Sequence, residues 1–595
     1  MAQRDMYQRR IRAMVGIMLV FLVVIALRLV DVQAVQASSI SKRATNEMMM
    51  TSTLLAPRGE ITDINGVELA RSVDAITVVV DQTMIADPAT TASVVAPILN
   101  IAAPDLQTLL TGTKRYQIVA KNVAPAVWQN LQTTLTNYNR ASGLAKRIVG
   151  FFSERGYVRE YPTGKLAASL VGITNAAGVG ASGIESSLNS KLAGSNGEYL
   201  YANGAGTIIP GSAVIKTEAK PGTGVQLTIN RDVEWVAQDA IAAAVKSSKA
   251  ASGTVIVMDP KTGRILAEAS APSFDPSIPK TITQDSLRNP AVQDMYEPGS
   301  TGKVITLSAA LEEKTITPTT VFDVPYSLKF AGGVYHDAEH HGDLHLTATG
   351  VLAQSSNVGA IQIGATMSHD TLYNYLTKFG IGASTGSGLP GEQLGQLPPV
   401  ASWSNSSAPT ISFGQGYSVT ALQATSVMAT IANGGVRVSP TVIAGTTDSS
   451  GHYAPAANQS STRVVSAQTA QEIRTMLESV VSQNGTAPAA AIPGYRVAGK
   501  TGTAQRADST CGCYRGYTSS FIGFAPADNP AFVVSVVIQN PQGQHLGGVI
   551  AAPVFQKVMS FVLQTEHVPP TGGKPTPYPL NAADLAGAPT TIKKN

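Results

Sequence analysis

The chain has 595 residues, which is too many for one hydrophobic core and predicts two or three folded units. Charged residues make up only 14% of the chain and the net charge is +4 without a basic block, which argues against nucleic-acid binding. Two cysteines, Cys511 and Cys513, exclude a disulfide framework. Because a bridge across Gly512 alone would be strained, we expect free thiols in a loop, with a redox or metal-binding pair as the alternative.

The N-terminal region predicts a membrane anchor. An apolar stretch within residues 13–33 contains Arg28 near its end and is long enough to cross a bilayer as a helix. Four arginines precede it, so residues 1–12 are predicted to remain in the cytoplasm and the rest of the chain to lie outside. The alternative is a cleaved signal peptide, since Val35-Gln36-Ala37 has the composition of a cleavage site.

Residues 34–224 predict an extended, β-rich pedestal domain. The run Ile76–Val80 has the composition of a strand, and Asn65-Gly66 between two apolar runs predicts a hairpin. Nothing in this segment is typical of catalysis on its own, which favours a structural or docking module.

Residues 225–565 predict a second domain with a central antiparallel sheet flanked by helices, because strands at both ends enclose a helical middle. The chain as a whole is therefore predicted to be a multidomain protein of the α+β or α/β class. Residues 566–595 are rich in Pro, Gly and Thr, and we expect them to be disordered. The expected strands and helices are 225–229, 233–246, 253–260, 264–269, 495–504, 519–524, 532–538 and 551–563.

Ser300 and Lys303 follow a Pro-Gly turn at the start of a predicted helix over residues 304–313. Residues three apart share one face of a helix, so the lysine amine is placed close to the serine hydroxyl. A serine nucleophile needs such a base, because its hydroxyl is a weak nucleophile at its own pKa. The same spacing after Ser39 and Ser277 is less favourable, since Ser39 adjoins the apolar stretch and a proline interrupts the turn after Ser277.

Two further motifs follow in order, Ser355-Ser356-Asn357 and, on a predicted strand, Lys500-Thr501-Gly502-Thr503. Decoys such as Lys261-Thr262-Gly263 occur elsewhere, but only Ser300, Ser355 and Lys500 combine the right order with helix, loop and strand settings. Together they resemble the Ser-x-x-Lys, Ser-Asp-Asn and Lys-Thr-Gly set of β-lactamases and penicillin-binding proteins.

The chemistry of each group predicts its role. Ser300 would attack a carbonyl carbon, and Lys303, made neutral by burial and nearby positive charge, would accept its proton. Ser355 would relay protons toward the leaving amine, while Asn357 would bind a substrate amide and hold Lys303. Lys500 would lower the pKa of Lys303 and attract a substrate carboxylate.

The Lys-Thr-Gly strand is predicted to bind substrate. The hydroxyls of Thr501 and Thr503 suit a carboxylate, and Gly502 lets substrate approach the strand closely. The backbone N–H groups of Ser300 and Thr503 would form an oxyanion hole, helped by the positive end of the helix dipole.

Over nearly its whole length the chain resembles the class B penicillin-binding proteins, and Glu297–Thr301 is more similar to the division-type branch than to the elongation-type branch. Asn230 and Ile64 depart from the family's usual Asp and Arg, away from the proposed chemistry. Further similar segments are Arg58–Ala70, Arg159–Pro162, Gly183–Glu185, Asp259–Gly263, Ala269–Pro276, Arg288–Ala291 and Gly414–Thr420.

The resemblance implies a membrane-anchored peptidoglycan D,D-transpeptidase that cross-links stem peptides in the septal wall and binds β-lactams. It also implies a SEDS-type membrane glycosyltransferase as the partner that supplies strands, docking on the anchor and on Arg58–Ala70. Two alternatives stay open. A D,D-carboxypeptidase or β-lactamase-type hydrolase would pass the acyl group to water, and a β-lactam sensor or scaffold would keep the fold without turnover.

No cofactor or metal is expected. Four histidines close together beside acidic residues could indicate zinc. We expect a polar loop instead, because acyl transfer needs no metal and His341-Gly342 resembles a loop motif of the family. The histidines are His336, His340, His341 and His345.

Overall fold

The computed structural model describes residues 2–36, 38, 49–143, 146–204, 207–208, 214–508, 510–571, 573 and 576–585. The chain divides into two compact units. The first comprises Met1–Pro57 and Gly194–Pro221, and the second comprises Arg58–Ala193 and Gly222–Asn595.

The first unit contains an apolar N-terminal helix and a small sheet. The helix Ala2–Val30 continues into a π-helical turn, and the 29 residues Met6–Ala34 are long and apolar enough to cross a bilayer. This fits a single-pass membrane anchor, as predicted. The proposed signal-peptide cleavage site ends at Ala37, outside the described residues. The sheet strands are Met49–Leu54, Gly197–Gly204, Thr207–Ile208 and Val214–Thr217.

A seven-stranded mixed sheet runs through the pedestal part of the second unit. Its predicted hairpin is present, because Asn65-Gly66 joins Ile61–Thr62 to Glu68–Val80 and Gly66 adopts a φ of 82° that glycine tolerates. A separate apolar core, including Val78 and Leu106, lies under the helices of this part. The seven strands are Tyr453–Pro455, Ile443–Thr447, Gly224–Leu227, Ile61–Thr62, Glu68–Val80, Gln117–Val123 and Phe151–Glu160.

A five-stranded antiparallel sheet forms the centre of the C-terminal part, as predicted. Two of its inner strands, Ser252–Met258 and Phe532–Gln539, are buried over almost their whole length because helices pack against the sheet, which explains their continuous apolar sequences. The strand Ala498–Asp508 lies at one edge of the sheet, where Cys513–Ala525 is its single neighbour among the described strands. The strands in order are Ile265–Ala271, Ser252–Met258, Phe532–Gln539, Cys513–Ala525 and Ala498–Asp508.

Helices surround this sheet and carry the predicted motifs. The helices Arg231–Ser247 and Ala552–Thr565 contact each other and the sheet, and so do Ala421–Ala432 and Ala467–Val481. The remaining α-helices of the second unit are Pro88–Leu99, Ala103–Leu110, Pro125–Ala141, Ala168–Val171, Gly183–Ser187, Asn189–Leu192, Pro290–Gln293, Lys303–Glu312, Ala348–Ala353, Asn357–Gly364, His369–Lys378, Ser407–Ser412 and Gly547–Ile550. Two-stranded pairs join Met295–Tyr296 to Val419–Thr420, Val321–Val324 to Leu344–Thr347, Ser327–Phe330 to Gly333–His336, and Val436–Val438 to Ser461–Arg463.

The prediction of free thiols is wrong. Cys511 and Cys513 form a disulfide at the turn between the strands Ala498–Asp508 and Cys513–Ala525. Gly512 adopts a φ of 62°, and the two Cα atoms are 5.2 Å apart, a separation that a disulfide can bridge. The glycine between the cysteines therefore makes the short bridge possible.

The prediction of disorder after Glu566 is wrong for the described part of that segment. The Tyr495 hydroxyl donates to the Val568 carbonyl at 2.6 Å, so the chain stays packed after the last helix. Residues 576–585, here called the C-terminal segment, lie against the domain, where Leu346 and Asn581 form a β-bridge. Backbone hydrogen bonds and a few apolar side chains hold this proline-rich stretch in place. The predicted disorder of residues 586–595 lies outside the described residues.

Candidate active site

Ser300 lies in a tight turn that is packed against the edge strand of the central sheet. The turn Gly299–Gly302 is a 3₁₀-helix and runs directly into the helix Lys303–Glu312, so the predicted first α-helical turn is 3₁₀ instead. Gly299 has a φ of 54°, and a Cβ there would lie 2.9 Å from the Ala504 Cβ. This contact places the partly exposed Ser300 beside the strand that carries the third motif.

Lys303 is completely buried and is held by the second motif. Its Nζ donates to the Ser355 carbonyl and to Asn357 Oδ1 at 2.9 Å, with Ser355 Oγ at 3.4 Å. Burial lowers the pKa of Lys303 to about 7, although the negative charge of Asp337 opposes the shift. Among the described residues, no hydrogen bond joins Lys303 Nζ to the Ser300 hydroxyl. Near neutral pH this amine can therefore be uncharged and accept a proton.

Lys500 is also completely buried and meets the same serine hydroxyl. Its Nζ donates to Ser355 Oγ at 2.8 Å and lies 3.3 Å from the Thr501 carbonyl. Burial, together with the charge of Lys303, lowers the pKa of Lys500 well below its ordinary value. The Ser355 hydroxyl thus bridges two amines that cannot both be charged at low cost.

Ser355 achieves this bridging position through an uncommon backbone conformation. Its φ is 63°, in the left-handed region that non-glycine residues seldom adopt. This conformation presents the Ser355 carbonyl and hydroxyl to Lys303 while the hydroxyl also faces Lys500. Strained residues of this kind persist where surrounding contacts hold them, and they are concentrated at functional sites.

Asp337 is a part of the site that was not predicted from the sequence. One of its carboxylate oxygens accepts from the backbone N–H groups of Asn357 and Val358, at 2.5 and 2.9 Å. Its other oxygen lies 3.0 Å from His341 Nε2. Asp337 therefore fixes the start of the helix Asn357–Gly364, and with it the amide that contacts Lys303. The only signal in the sequence was its place among the histidines.

Three of the four histidines, His336, His340 and His341, lie around the ring of Tyr326, and the fourth is paired with Asp323. His345 Nδ1 lies 2.6 Å from an Asp323 carboxylate oxygen, and the rings of His336 and His340 lie 5.3 and 4.5 Å from the ring of Tyr326. Within the described ranges, no three His, Cys, Asp or Glu residues are grouped to hold a metal ion. The expectation that these residues bind no metal stays a prediction.

The Lys-Thr-Gly strand is joined closely to the nucleophile turn. A Cβ at Gly502 would lie 2.3 Å from Ser520 Oγ and 3.1 Å from the Pro298 carbonyl, so glycine is needed for packing as well as for access. Thr503 Oγ1 accepts from the Gly547 N–H at 3.1 Å. Thr501 Oγ1 lies 2.8 Å from the hydroxyl of Thr486. The structure therefore brings all three predicted motifs to one place.

Comparison with known proteins agrees with this geometry. Residues 253–560 match the family described as penicillin binding protein transpeptidase domain, and residues 53–227 match the penicillin-binding protein dimerisation domain. The chain is 37% identical over 585 residues to penicillin-binding protein PbpB of Mycobacterium tuberculosis, covering 94% of this chain and 86% of that protein. It is 30% identical over 565 residues to peptidoglycan D,D-transpeptidase FtsI of Buchnera aphidicola, covering 93% and 94% of the two chains.

A solved structure gives the same result. The crystal structure of penicillin binding protein 3 from Mycobacterium tuberculosis, complexed with aztreonam, is similar with a TM-score of 0.69 and 33% sequence identity. The match covers 89% of this chain and 100% of that one. The likeness therefore extends over both predicted folded domains.

Proposed function

The chain belongs to the penicillin-binding protein transpeptidase family, a family of serine acyltransferases, and we propose that it cross-links peptidoglycan stem peptides through an acyl-enzyme on Ser300. The donor is a stem peptide that ends in D-Ala-D-Ala, and the acceptor is an amine of a second stem. The arrangement of Lys303, Ser355 and Lys500 is the observation that carries the proposal, because it supplies a buried amine with a pKa of about 7 beside a shared hydroxyl.

In the first half of the reaction Ser300 Oγ forms a bond to the carbonyl carbon of the penultimate D-Ala. Neutral Lys303 takes the hydroxyl proton, either directly or through water, since a base of this pKa works near neutral pH. The bond between carbon and the leaving nitrogen breaks, and the Ser355 hydroxyl passes a proton to that nitrogen while it takes one from protonated Lys303, which is then neutral again. D-Ala leaves, and an ester on Ser300 remains.

In the second half the acceptor amine attacks the ester carbonyl carbon. The bond from carbon to Ser300 Oγ breaks, the new amide bond forms, and the amine proton returns to Ser300 through Lys303. The backbone N–H groups of Ser300 and Thr503 are proposed to bind the negative oxygen in both halves. Lys500, with the hydroxyls of Thr501 and Thr503, is proposed to bind the terminal carboxylate of the donor.

Penicillin labelling tests the nucleophile. β-Lactam binding is supported by the aztreonam complex of the mycobacterial relative. Mass spectrometry of the labelled protein should locate the adduct on Ser300, and Ser300→Ala should abolish it. Ser277→Ala, which removes the serine of another Ser-x-x-Lys match, is the matched control and should label normally. An adduct that survives in Ser300→Ala would reject the assignment.

A transfer assay separates the proposal from its alternatives. The purified protein should pass the acyl group from a D-Ala-D-Ala donor to an added amine, while a carboxypeptidase or β-lactamase would pass it only to water. A sensor or scaffold would accept penicillin but release no D-Ala. Septal wall synthesis is proposed because Glu297–Thr301 resembles the division-type branch, and depletion of the protein should then block septation while elongation continues.

We also propose that residues 1–12 lie in the cytoplasm and that the catalytic domain lies outside. The anchor and Arg58–Ala70 are proposed to dock on a SEDS-type membrane glycosyltransferase, which would supply new strands close to the site. Within that segment Arg58 and Asp63 are buried, so Glu60 offers an exposed charge for the test.

Glu60→Lys should weaken co-purification with the glycosyltransferase and leave penicillin acylation of Ser300 unchanged. Asp285→Lys, an exposed charge reversal in the catalytic domain, serves as the control and should change neither. Normal co-purification of Glu60→Lys would contradict docking through this segment.

A further inference from the structure

A cleft of about 780 Å³, lined by polar and apolar groups alike, begins at the residue before Ser355 and has no part in the chemistry described above. One wall is the end of the helix Ala467–Val481 with the loop that follows, and the other is the C-terminal segment. Ligand pockets in proteins typically measure roughly 300–1,000 Å³. The cleft is therefore large enough for a short peptide.

Both sides of the cleft lead directly into the catalytic motifs. Gln354, which lines one side, immediately precedes Ser355. Asn484, which lines the other, lies two residues before Thr486, whose hydroxyl is 2.8 Å from Thr501 Oγ1. A ligand in the cleft would be within a few residues of the groups that move protons and bind the donor.

The lining offers hydrogen bonds suited to a peptide and a negative charge. Ser479 is only 3% exposed, and its hydroxyl has no hydrogen-bond partner among the described residues, so its hydrogen bonding is unsatisfied within the protein. Asn484 adds an exposed amide, and Asp584 adds an exposed carboxylate at the rim. No lysine or arginine of the described chain lines the cleft. These groups favour a polar ligand that carries a cation.

The C-terminal segment forms one wall of the cleft. It is held in place by residues that shortly precede Ser355 in the chain. The Thr347 hydroxyl donates to the Pro579 carbonyl at 2.6 Å, and the Thr347 N–H donates to the Leu580 carbonyl at 3.0 Å. A Cβ at Gly350 would lie only 2.0 Å from that Leu580 oxygen. The close fit makes the segment a built wall of the cleft.

We propose that this cleft is the subsite for the acceptor stem peptide, a short peptide with a free side-chain amine. The inference rests on the proposed acyl transfer and adds the place from which the second substrate reaches the Ser300 ester. The acceptor needs a subsite of its own, because the terminal carboxylate of the donor is proposed to bind beside Thr501 and Thr503. The Asp584 carboxylate at the rim attracts the ammonium group of the acceptor. The ammonium group then loses a proton, and the resulting amine attacks the Ser300 ester.

A pair of tryptophan substitutions in one loop tests the subsite. Asn484→Trp fills the cleft, whereas Gln483→Trp places the same side chain on the neighbouring exposed residue, which does not line it. The full-length protein is given a thioester donor and, as acceptor, a synthetic stem tripeptide whose third residue is lysine or diaminopimelate. Asn484→Trp should raise the acceptor KM by about tenfold or more, equivalent to about 1.4 kcal/mol of binding. Its penicillin acylation rate and its donor hydrolysis should match the wild type, as should every rate of Gln483→Trp.

The outcomes separate this subsite from the proposed function. If the wild-type protein forms the Ser300 adduct but transfers to no amine, the transpeptidase proposal fails. If the wild type transfers normally and Asn484→Trp leaves the acceptor KM unchanged, the subsite is wrong. If Asn484→Trp slows penicillin acylation to the same degree as transfer, the cleft belongs to the donor and the subsite is again wrong.

A measurement on the wild-type protein covers the case in which Asn484→Trp does not fold. The same tripeptide, carrying a photoreactive diazirine, is cross-linked to the full-length protein and the adducts are mapped by mass spectrometry. Adducts on residues 482–484 or 577–584 that disappear with excess unlabelled tripeptide support the subsite. Competed adducts elsewhere, or none that compete, overturn it.

Discussion

Two clusters of buried charged side chains in this protein use their burial in opposite ways. In the pedestal part, Arg58 and Arg159 donate to the two oxygens of Glu185 at 2.5 and 2.6 Å, with side-chain exposures of 8% and 6% against 0% for the glutamate. At the catalytic motifs, Lys303 and Lys500 are both 0% exposed. The first cluster combines opposite charges, whereas the second brings together like charges with neutral partners.

This difference explains what each cluster can do. In the pedestal the mutual attraction offsets the loss of hydration, so the charges persist and hold three distant segments together. The lysines have no carboxylate bonded to them among the described residues, so burial favours their neutral form instead. A buried ion pair therefore stabilises the fold, whereas a buried pair of amines can supply the base that the proposed mechanism needs.

The largest expected effect comes from removing the base. Lys303→Ala should slow penicillin acylation by about 10²–10⁴-fold, the usual contribution of a positioned acid or base. Lys303→Arg should be equally slow, because a guanidinium stays charged at every accessible pH. Stopped-flow acylation checks the rates, and thermal unfolding confirms that the variants fold. A folded Lys303→Arg that acylates at the wild-type rate would disprove the role of neutral Lys303.

Disrupting the ion-pair cluster of the pedestal should lower the stability of the protein and leave its acylation rate unchanged. Glu185→Gln leaves two buried arginines without a counter-charge and should lower the free energy of unfolding by about 3–5 kcal/mol. Glu160→Gln is the control, because its pair with Arg71 is exposed to solvent and should contribute far less to stability. Denaturant unfolding measures both. Penicillin acylation of folded Glu185→Gln should remain normal, and a slow rate would show that the clusters are coupled.

The pH dependence of acylation reports the lysine pair. If neutral Lys303 is the base, as proposed, its pKa of about 7 means that the rate should fall about tenfold per pH unit well below 7 and level off above it. Since Asp337 raises that pKa, Asp337→Asn should move the midpoint to lower pH, while the amide oxygen still accepts the helix N–H bonds.

Asp323→Asn is the matched control for this shift, because Asp323 is also paired with a histidine but is exposed and away from the lysines. Its profile should match the wild type in a pH series of acylation rates. A midpoint that moves upward in Asp337→Asn would contradict the electrostatic role given to Asp337.

The smallest expected effect concerns the disulfide, which lies in neither buried cluster. Replacing Cys511 and Cys513 together by serine removes a constraint on a very short loop and should cost about 1–2 kcal/mol of stability. The loop adjoins Tyr514, whose hydroxyl donates to Glu297 at 3.1 Å, so Tyr514→Phe isolates that contact. Urea unfolding and acylation rates are compared for both variants. A large loss of acylation in the double serine variant alone would assign the disulfide a role in the site.

Local patterns were enough to predict the nucleophile helix, the hairpin at Asn65-Gly66 and the antiparallel core. These features depend on residues that are close in the chain or on long apolar runs, so their signals are contained in short windows. The order of the three motifs predicted that Ser300, Ser355 and Lys500 lie close together, although no sequence pattern gave the distances between them.

The disulfide and the C-terminal segment show where local reasoning was wrong. A short bridge was judged strained without knowledge of the backbone at Gly512, which adopts the conformation that allows it. Proline and glycine content predicted disorder after Glu566, but two carbonyls of the described segment accept hydrogen bonds from the hydroxyl and the N–H of Thr347, more than 200 residues earlier. The amino-acid composition of a segment does not show which distant residues will contact it.

The amino-acid sequence by itself determined which residues are proposed to carry the chemistry, because spacing along a helix, order along the chain and resemblance to a known motif set selected Ser300, Lys303 and Lys500. Only the tertiary structure decided their protonation, since burial and the 2.8 Å contact of Lys500 with Ser355 arise between residues 145 apart in the chain. The same is true of Asp337, which acts on Asn357 from 20 residues away. A pKa depends on the three-dimensional surroundings of a group, and those surroundings exist only after the chain has folded.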